Sequence, residues 1–119
     1  IYYLAVKISN GESIDFIEQY PYVREKKFFN RREVCKIILE FMKNNNIEKI
    51  NFKSSLFIIP GYEFKLCDQL ITNFHYPKST LILLIAAFIG EDWRKVYNFA
   101  LNNNYRFLSY GDSSLLYKK

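Results

Sequence analysis

The sequence is poor in the residue types that most often hold metals or act as nucleophiles. It contains one histidine and two cysteines. Cys35 and Cys67 are far apart and fit no metal-binding spacing, which favours reduced, partly buried thiols and a reducing compartment. The sequence shows no glycine-rich phosphate loop, no dinucleotide fingerprint and no Ser-His-Asp signature. These absences argue against a metal centre and against the common nucleotide-binding motifs.

Long apolar runs are also missing. The longest, from Leu81 to Ile89, is too short to cross a bilayer and is followed by a glycine. No signal peptide is visible, so we expect a cytoplasmic protein with no membrane partner. The chain begins at Ile1 inside a strand-like run, which suggests a processed or excised piece of something longer.

The material for a folded core is present. The 119 residues are 50% hydrophobic and 18% aromatic, which predicts one globular domain over residues 1–119. The formal net charge is +5 and the isoelectric point is about 9.2. Such a charge favours polyanionic partners such as RNA, although it also occurs on proteins without them.

Local patterns in the first half predict a hairpin and a helix. Residues 2–8 and 13–19 are rich in strand-forming residues around Asn10-Gly11, a tight-turn signal, and so predict a β-hairpin. Basic residues in 24–32 indicate an exposed connector. Apolar residues then recur at helical spacing from about Arg32, and an Asn triplet at 44–46 offers a place to stop.

The second half predicts strands on either side of two helices. Apolar or alternating runs predict two strands around residues 52–72, on either side of Pro60-Gly61. We expect a buried helix over 81–89, capped by the hydroxyl of Ser79 or Thr80 and ended by Gly90.

The chain end adds the last elements and completes the fold class. A surface helix is predicted from Glu91 to about Asn103, and strands over 105–110 and 115–117. The predicted fold class is α/β (α+β), with a mixed sheet and three helices, as part of a larger enzyme domain.

Two polar clusters are the candidate functional features. Residues 72–80 place the only histidine, a lysine, an amide and hydroxyls directly before the buried helix, whose first amides favour an anion. Residues 105–112 place an arginine, tyrosines and an acid around a glycine. The alternative is structural in both cases: the first cluster would satisfy backbone groups at a helix start, and in the second Arg106 and Asp112 would simply pair.

At these clusters the sequence resembles the S-adenosylmethionine:tRNA ribosyltransferase-isomerases of queuosine biosynthesis. The resemblance is carried by LFIIPGYEF at 56–64, DQLITNFHYPKSTL at 68–81, AAFIG at 86–90 and YRFLSYGD at 105–112. Their order and spacing are those of the C-terminal portion of that family, and the family-like motifs extend over 56–117. The resemblance therefore implies a C-terminal fragment of a longer enzyme.

The activity implied by this resemblance is a tRNA modification. The ribosyl group of S-adenosylmethionine is transferred and isomerised onto 7-aminomethyl-7-deazaguanine in tRNA, giving epoxyqueuosine-tRNA, adenine and methionine. The implied partners are tRNA, S-adenosylmethionine as ribosyl donor, and the missing N-terminal part of the enzyme; no metal is implied. The alternative is a truncated, non-catalytic remnant or RNA-binding module.

Residue chemistry suggests roles for the polar groups within that reaction. Departing adenine needs a proton or a hydrogen bond, tRNA phosphates need positive charge, and the sulfonium needs a pocket with an acid. The candidate catalytic residues are His75, Asn73 and Lys78. The candidate substrate-binding residues are Thr72, Ser79, Thr80, Arg106, Tyr110, Gly111 and Asp112.

Overall fold

A computed structural model describes residues 1–76 and 78–118. Pro77, inside the first polar cluster, and Lys119 lie outside the described residues. Contacts within the chain group it into two compact units, Ile1–Phe57 and Ile58–Lys119. The grouping of both into one domain stays a prediction.

The first unit is built from two helices and a short parallel strand pair. Its elements are α1 (Tyr2–Asn10), β1 (Phe16–Ile17), a 3-10 turn (Pro21–Arg24), α2 (Arg31–Asn44) and β2 (Lys53–Ser54). Strand β1 pairs with β2, with Phe16 opposite Lys53. Helix α1 packs against α2.

The hairpin predicted for residues 2–19 is wrong, because its first arm is helix α1. Four consecutive side chains, Tyr2 to Ala5, are buried, which is a helical and not an alternating pattern. Gly11 has φ 70°, and its N–H donates to the carbonyl of Ile8. Asn-Gly therefore supplies the left-handed residue that ends a helix, a conformation that it supplies equally well in a hairpin turn.

Helix α2 confirms the amphipathic helix. It starts with a capping box in which Asn30 Oδ1 accepts from Glu33 N–H at 3.0 Å and Glu33 Oε2 accepts from Asn30 N–H at 2.7 Å. Val34 is fully buried. The helix ends within the Asn triplet, as predicted, where Asn46 takes φ 51°.

The second unit is built from an antiparallel strand pair and two helices. Its elements are β3 (Gln69–Asn73), α3 (Ile82–Ile89), α4 (Asp92–Asn102) and β4 (Ser113–Tyr117). Strands β3 and β4 pair from Gln69 opposite Tyr117 to Asn73 opposite Ser113. The α/β class is confirmed. The described residues nevertheless contain four helices instead of three, and two separate two-stranded sheets instead of one mixed sheet.

Only part of the strand prediction for residues 52–72 is correct. Residues 55–68 contain no assigned strand, although parallel hydrogen bonds continue from β2 as far as the N–H of Phe57, which donates to Gln19. Beyond the Pro60-Gly61 turn, the apolar side chains pack from an irregular segment against the core of the second unit. Their alternation reflects burial and not pairing.

Helix α3 forms the centre of the second unit. It buries Ile82, Ile85, Phe88 and Ile89, and the rings of Phe64 and Phe88 meet edge to face at 4.8 Å. The other buried members of this core are Phe74, Tyr97, Ala100 and Leu116. The apolar run is therefore a core helix, and among the described residues no helix has the length and apolar character needed to span a bilayer.

Only the C-terminal end of α3 agrees with the prediction. Gly90 ends the helix with φ 61°. The hydroxyl cap predicted at Ser79 or Thr80 is wrong, because Leu81 occupies the cap position without a side-chain bond. The backbone carbonyls of Ser79 and Thr80 accept from the first helical amides instead, at 3.3 and 3.1 Å.

The capping box yields a stability prediction. Replacing Asn30 with Ala removes the acceptor for Glu33 N–H and should lower the free energy of unfolding by about 1 kcal/mol. Urea denaturation followed by circular dichroism measures it. Asn51→Ala, at an exposed site in the coil before β2, is the matched control. Equal midpoints for the two variants would contradict the cap.

Candidate functional site

The two polar clusters meet at one end of the β3–β4 pair. Asn73 is the last residue of β3 and Ser113 is the first of β4, so the clusters continue from paired strands. Beyond the strands, the N–H of Phe74 donates to the carbonyl of Asp112 at 3.2 Å, and the N–H of Leu108 donates to the carbonyl of Phe74 at 2.8 Å. Segments far apart in sequence thus form one structural unit.

Residues 105–112 form a closed loop, so the strand predicted over 105–110 is wrong. Asp112 Oδ2 accepts from the N–H of Arg106 at 2.7 Å, and the N–H of Asp112 donates to the carbonyl of Arg106 at 2.8 Å. Leu108 takes φ 70°, which no strand allows. Asp112 therefore binds the backbone of Arg106, whereas the structural alternative paired the two side chains.

Side chains at this end of the strand pair hydrogen-bond to backbone carbonyls, and the one from Asn73 reaches the loop. Asn73 Nδ2 donates to the carbonyl of Gly111 at 3.3 Å. Ser114 Oγ donates to the carbonyl of Thr72 at 3.3 Å, and Thr72 Oγ1 donates to the carbonyl of Asn73 at 3.2 Å. Four of the predicted site residues thus lie together, and their hydrogen bonds position backbone.

His75 is fixed through its backbone by a residue of helix α4. The N–H of His75 donates to the hydroxyl of Tyr97 at 3.1 Å, and the imidazole is half-buried. The ring of Tyr97 is buried against Phe74, with centroids 5.4 Å apart. Burial raises the pKa of Tyr97 above its ordinary value, and the bond from His75 lowers it by a smaller amount. Tyr97 is therefore a neutral phenol at physiological pH.

The remaining predicted residues lie at the surface around this unit. Lys78 is exposed with φ 73°, so the chain turns sharply there. Ser79 is half-buried, and its Oγ is buried with no hydrogen-bond partner among the described residues. Thr80 and Arg106 are exposed, and Tyr110 is 97% exposed. Two cationic side chains and a phenol are thus exposed on the two segments that meet at this unit.

Sequence reasoning missed the aromatic residues that support this unit. Neither Tyr97 nor Phe107 is among the candidate site residues that the sequence indicates. Phe107 contacts Phe74 at 5.8 Å and Tyr97 at 6.3 Å between ring centroids. A tyrosine on the buried face of a helix needs a hydrogen-bond partner for its hydroxyl. That need was the signal in the sequence that could have indicated a supporting role for Tyr97.

The described residues provide no metal centre. Within residues 1–76 and 78–118, no three histidine, cysteine, aspartate or glutamate side chains are grouped in a way that could hold a metal ion. The predicted site residues at this surface offer an imidazole, an ammonium, a guanidinium, a phenol and a carboxylate.

Comparison with known proteins assigns the family. Residues 33–116, from α2 through most of β4, match the queuosine biosynthesis protein family. The chain belongs to this family. The matched region contains every predicted site residue.

Relatives named S-adenosylmethionine:tRNA ribosyltransferase-isomerase match over long stretches. The one from Rickettsia akari is 44% identical over 109 residues, covering 91% of this chain and 29% of the relative. The one from Blochmanniella floridana is 56% identical over 71 residues, covering 59% and 20%. The chain thus spans less than a third of the length of these relatives.

A solved structure supports the fold. The crystal structure of S-adenosylmethionine tRNA ribosyltransferase from Thermotoga maritima is similar with a TM-score of 0.52 at 32% sequence identity. The similarity covers 94% of this chain and 36% of the other. The fold of this chain is thus similar to part of a much longer protein.

Gly111 gives a prediction for the closed loop. A Cβ at this position would lie 2.3 Å from the carbonyl oxygen of Arg106 and 2.7 Å from the carbonyl carbon of Phe107, so the backbone must shift. Gly111→Ala should lower the free energy of unfolding by about 1–3 kcal/mol. Urea midpoints measure the loss, with Ser109→Ala, exposed in the same loop, as control. A midpoint unchanged in Gly111→Ala would contradict the close approach.

The raised pKa of Tyr97 gives a pH prediction. In the unfolded chain the phenol of Tyr97 ionises near its ordinary pKa of 10.0, whereas in the folded chain its pKa is higher. The contribution of Tyr97 to the free energy of unfolding is therefore present at lower pH and is lost as the pH rises through the folded pKa. Tyr97→Phe cannot ionise and should lose less stability between about pH 8 and about pH 11. Urea midpoints at both pH values measure this, with each protein's value at the lower pH as its own baseline. Equal losses in both proteins would contradict the buried phenol.

Proposed function

We propose that this chain supplies part of the active site of an S-adenosylmethionine:tRNA ribosyltransferase-isomerase acting in the cytoplasm. The reaction transfers and isomerises the ribosyl group of S-adenosylmethionine onto 7-aminomethyl-7-deazaguanine in tRNA. Epoxyqueuosine-tRNA, adenine and methionine are the products. S-adenosylmethionine is consumed as a substrate.

One observation carries this proposal: the two polar clusters are joined into a single unit within the part of the chain that matches the family. Residues 72–80 and 105–112 are far apart in sequence, and beyond the strand pairing three hydrogen bonds join Asn73 and Phe74 to the loop. The exposed cations and the half-buried imidazole at this unit are what a reaction on tRNA requires.

In this proposal His75 assists the departure of adenine. Breaking the bond between ribose and adenine leaves negative charge on the base, which a proton or a hydrogen bond from an imidazole stabilises. The bond from His75 N–H to Tyr97 holds the backbone at this position and does not involve the imidazole. His75 is thus assigned as catalytic and Tyr97 as a positioning residue.

The other side chains divide between positioning and binding. Asn73, Gly111 and Asp112 take part in holding the loop, and Thr72 bonds the adjoining carbonyl of Asn73, so these residues position the site. The remaining candidates contact substrate: the cations attract tRNA phosphates and the phenol faces the sulfonium substrate. These residues are Lys78, Ser79, Thr80, Arg106 and Tyr110.

The proposal includes a further polypeptide. The chain spans 29% of the relative from Rickettsia akari, and the match covers 91% of this chain. We assign it to the C-terminal portion of such an enzyme, with its activity completed by the remainder. The missing part would supply the rest of the pockets for S-adenosylmethionine and tRNA.

Transfer of labelled ribosyl from S-adenosylmethionine to tRNA carrying the 7-deazaguanine precursor tests the proposal. The assay uses this chain alone and this chain with a polypeptide that supplies the remainder of a family-length enzyme. Labelled tRNA in either reaction would support the function. Folded protein that yields no label in both would contradict it and leave a non-catalytic remnant.

The role of His75 is tested in the completed enzyme. His75→Ala should lower turnover by more than about tenfold, since a positioned general acid contributes about 10²–10⁴-fold. Asn98→Ala, at an exposed position of α4, is the control. His75→Gln separates loss of the proton donor from loss of side-chain volume. A smaller loss in His75→Ala would remove His75 from the catalytic residues.

A further inference from the structure

A stacked aromatic pair, exposed Tyr76 and half-buried Phe107, lies beside the candidate site. The rings of Tyr76 and Phe107 are nearly parallel, with an interplanar angle of 8° and centroids 5.9 Å apart. At that separation parallel rings are offset, so neither fully covers the other. Tyr76 is 59% exposed. A flat apolar surface is therefore presented to solvent directly after His75.

Buried rings of the core hold Phe107, one member of the pair, in place. Phe107 packs on the buried rings of Phe74 and Tyr97. The N–H of Leu108, the next residue, is hydrogen-bonded to the carbonyl of Phe74. Phe107 is thus fixed at two rings and through the adjoining backbone, and it offers Tyr76 a fixed ring to stack on. Pre-organised rings lose little conformational entropy on binding.

Positive charge flanks the pair on both segments. Lys78 follows Tyr76 by two residues, and Arg106 directly precedes Phe107. Both side chains are exposed. Flat aromatic surface next to exposed cations is the combination that binds bases of single-stranded nucleic acid or a charged nucleoside, since the base stacks and the cations attract phosphates.

We propose that Tyr76 and Phe107 form a stacking platform for a purine-type base at the candidate site. The inference rests on the proposed function, whose substrates contain two such bases: the adenine of S-adenosylmethionine and the 7-deazaguanine or a neighbouring base of the tRNA anticodon. Stacking needs the ring of Tyr76 and not its hydroxyl. The base thus lies next to the imidazole that follows β3.

Equilibrium binding to the 119-residue chain tests the platform. The probes are S-adenosylhomocysteine, which carries the adenine, and a fluorescein-labelled anticodon stem-loop RNA. Tyr76→Ala should weaken at least one probe by about fivefold or more, the lower range for losing one stacked base. Tyr76→Phe should bind within about twofold of the unaltered chain, because it keeps the ring.

The matched control is Tyr117→Ala. Tyr117 is 62% exposed and lies at the opposite end of the β3–β4 pair, beside Gln69. Its substitution should leave both affinities unchanged, and circular dichroism verifies that all variants are folded. The probe whose affinity falls in Tyr76→Ala shows whether the stacked base is the adenine of S-adenosylmethionine or a base of the RNA.

Three results would overturn the platform. They are unchanged affinity of Tyr76→Ala for both probes, equal losses in Tyr76→Ala and Tyr117→Ala, and no binding of either probe by the unaltered chain. Because this experiment measures binding and not turnover, it tests the platform independently of the ribosyl-transfer assay. Ring-dependent binding without ribosyl transfer would contradict the proposed function alone, and transfer with ring-independent binding would contradict the platform alone.

Discussion

The second unit depends on the way the β3–β4 pair continues past its last strand residues. The strands end at Asn73 and Ser113, but the backbone of Phe74 goes on to bond with both Leu108 and Asp112. Each such bond contributes about 1 kcal/mol net, and leaving a buried partner unpaired costs more. The loop therefore cannot leave β3 without exposing Phe74 and the rings around it. Any chemistry at this surface relies on that continuation.

Helices α2, α3 and α4 could be predicted because their signals are local, whereas α1 could not. The apolar spacing of α2, the Asn triplet that ends it, and Gly90 after α3 are all read within a few residues. The apolar composition of α3 also predicts its burial. The polar side chains of the candidate site were visible for the same reason, since polar groups beside a buried helix stand out in the sequence.

The remaining features depend on contacts that no local pattern encodes. Asn10-Gly11 suits a hairpin turn and a helix end alike, and only packing against α2 selects the helix. The aromatic alternation in 105–110 reflects burial of rings on Phe74, while Asp112 closes the backbone into a loop. The meeting of both clusters, and the hydroxyl of Tyr97 beneath His75, are likewise non-local. Sequence reasoning thus found candidate residues without their partners.

Amide hydrogen exchange in this chain tests most directly whether the two clusters form one unit. The amides of Phe74 and Leu108 are hydrogen-bonded across the junction of the two segments, and the amide of Asp112 donates to the carbonyl of Arg106 within the loop. A single cooperative unit predicts a common opening free energy for these amides, equal to that of the amides paired between β3 and β4. Exchange of Leu108 and Asp112 at the rate of an unfolded chain, while the β3 amides stay protected, would contradict the account.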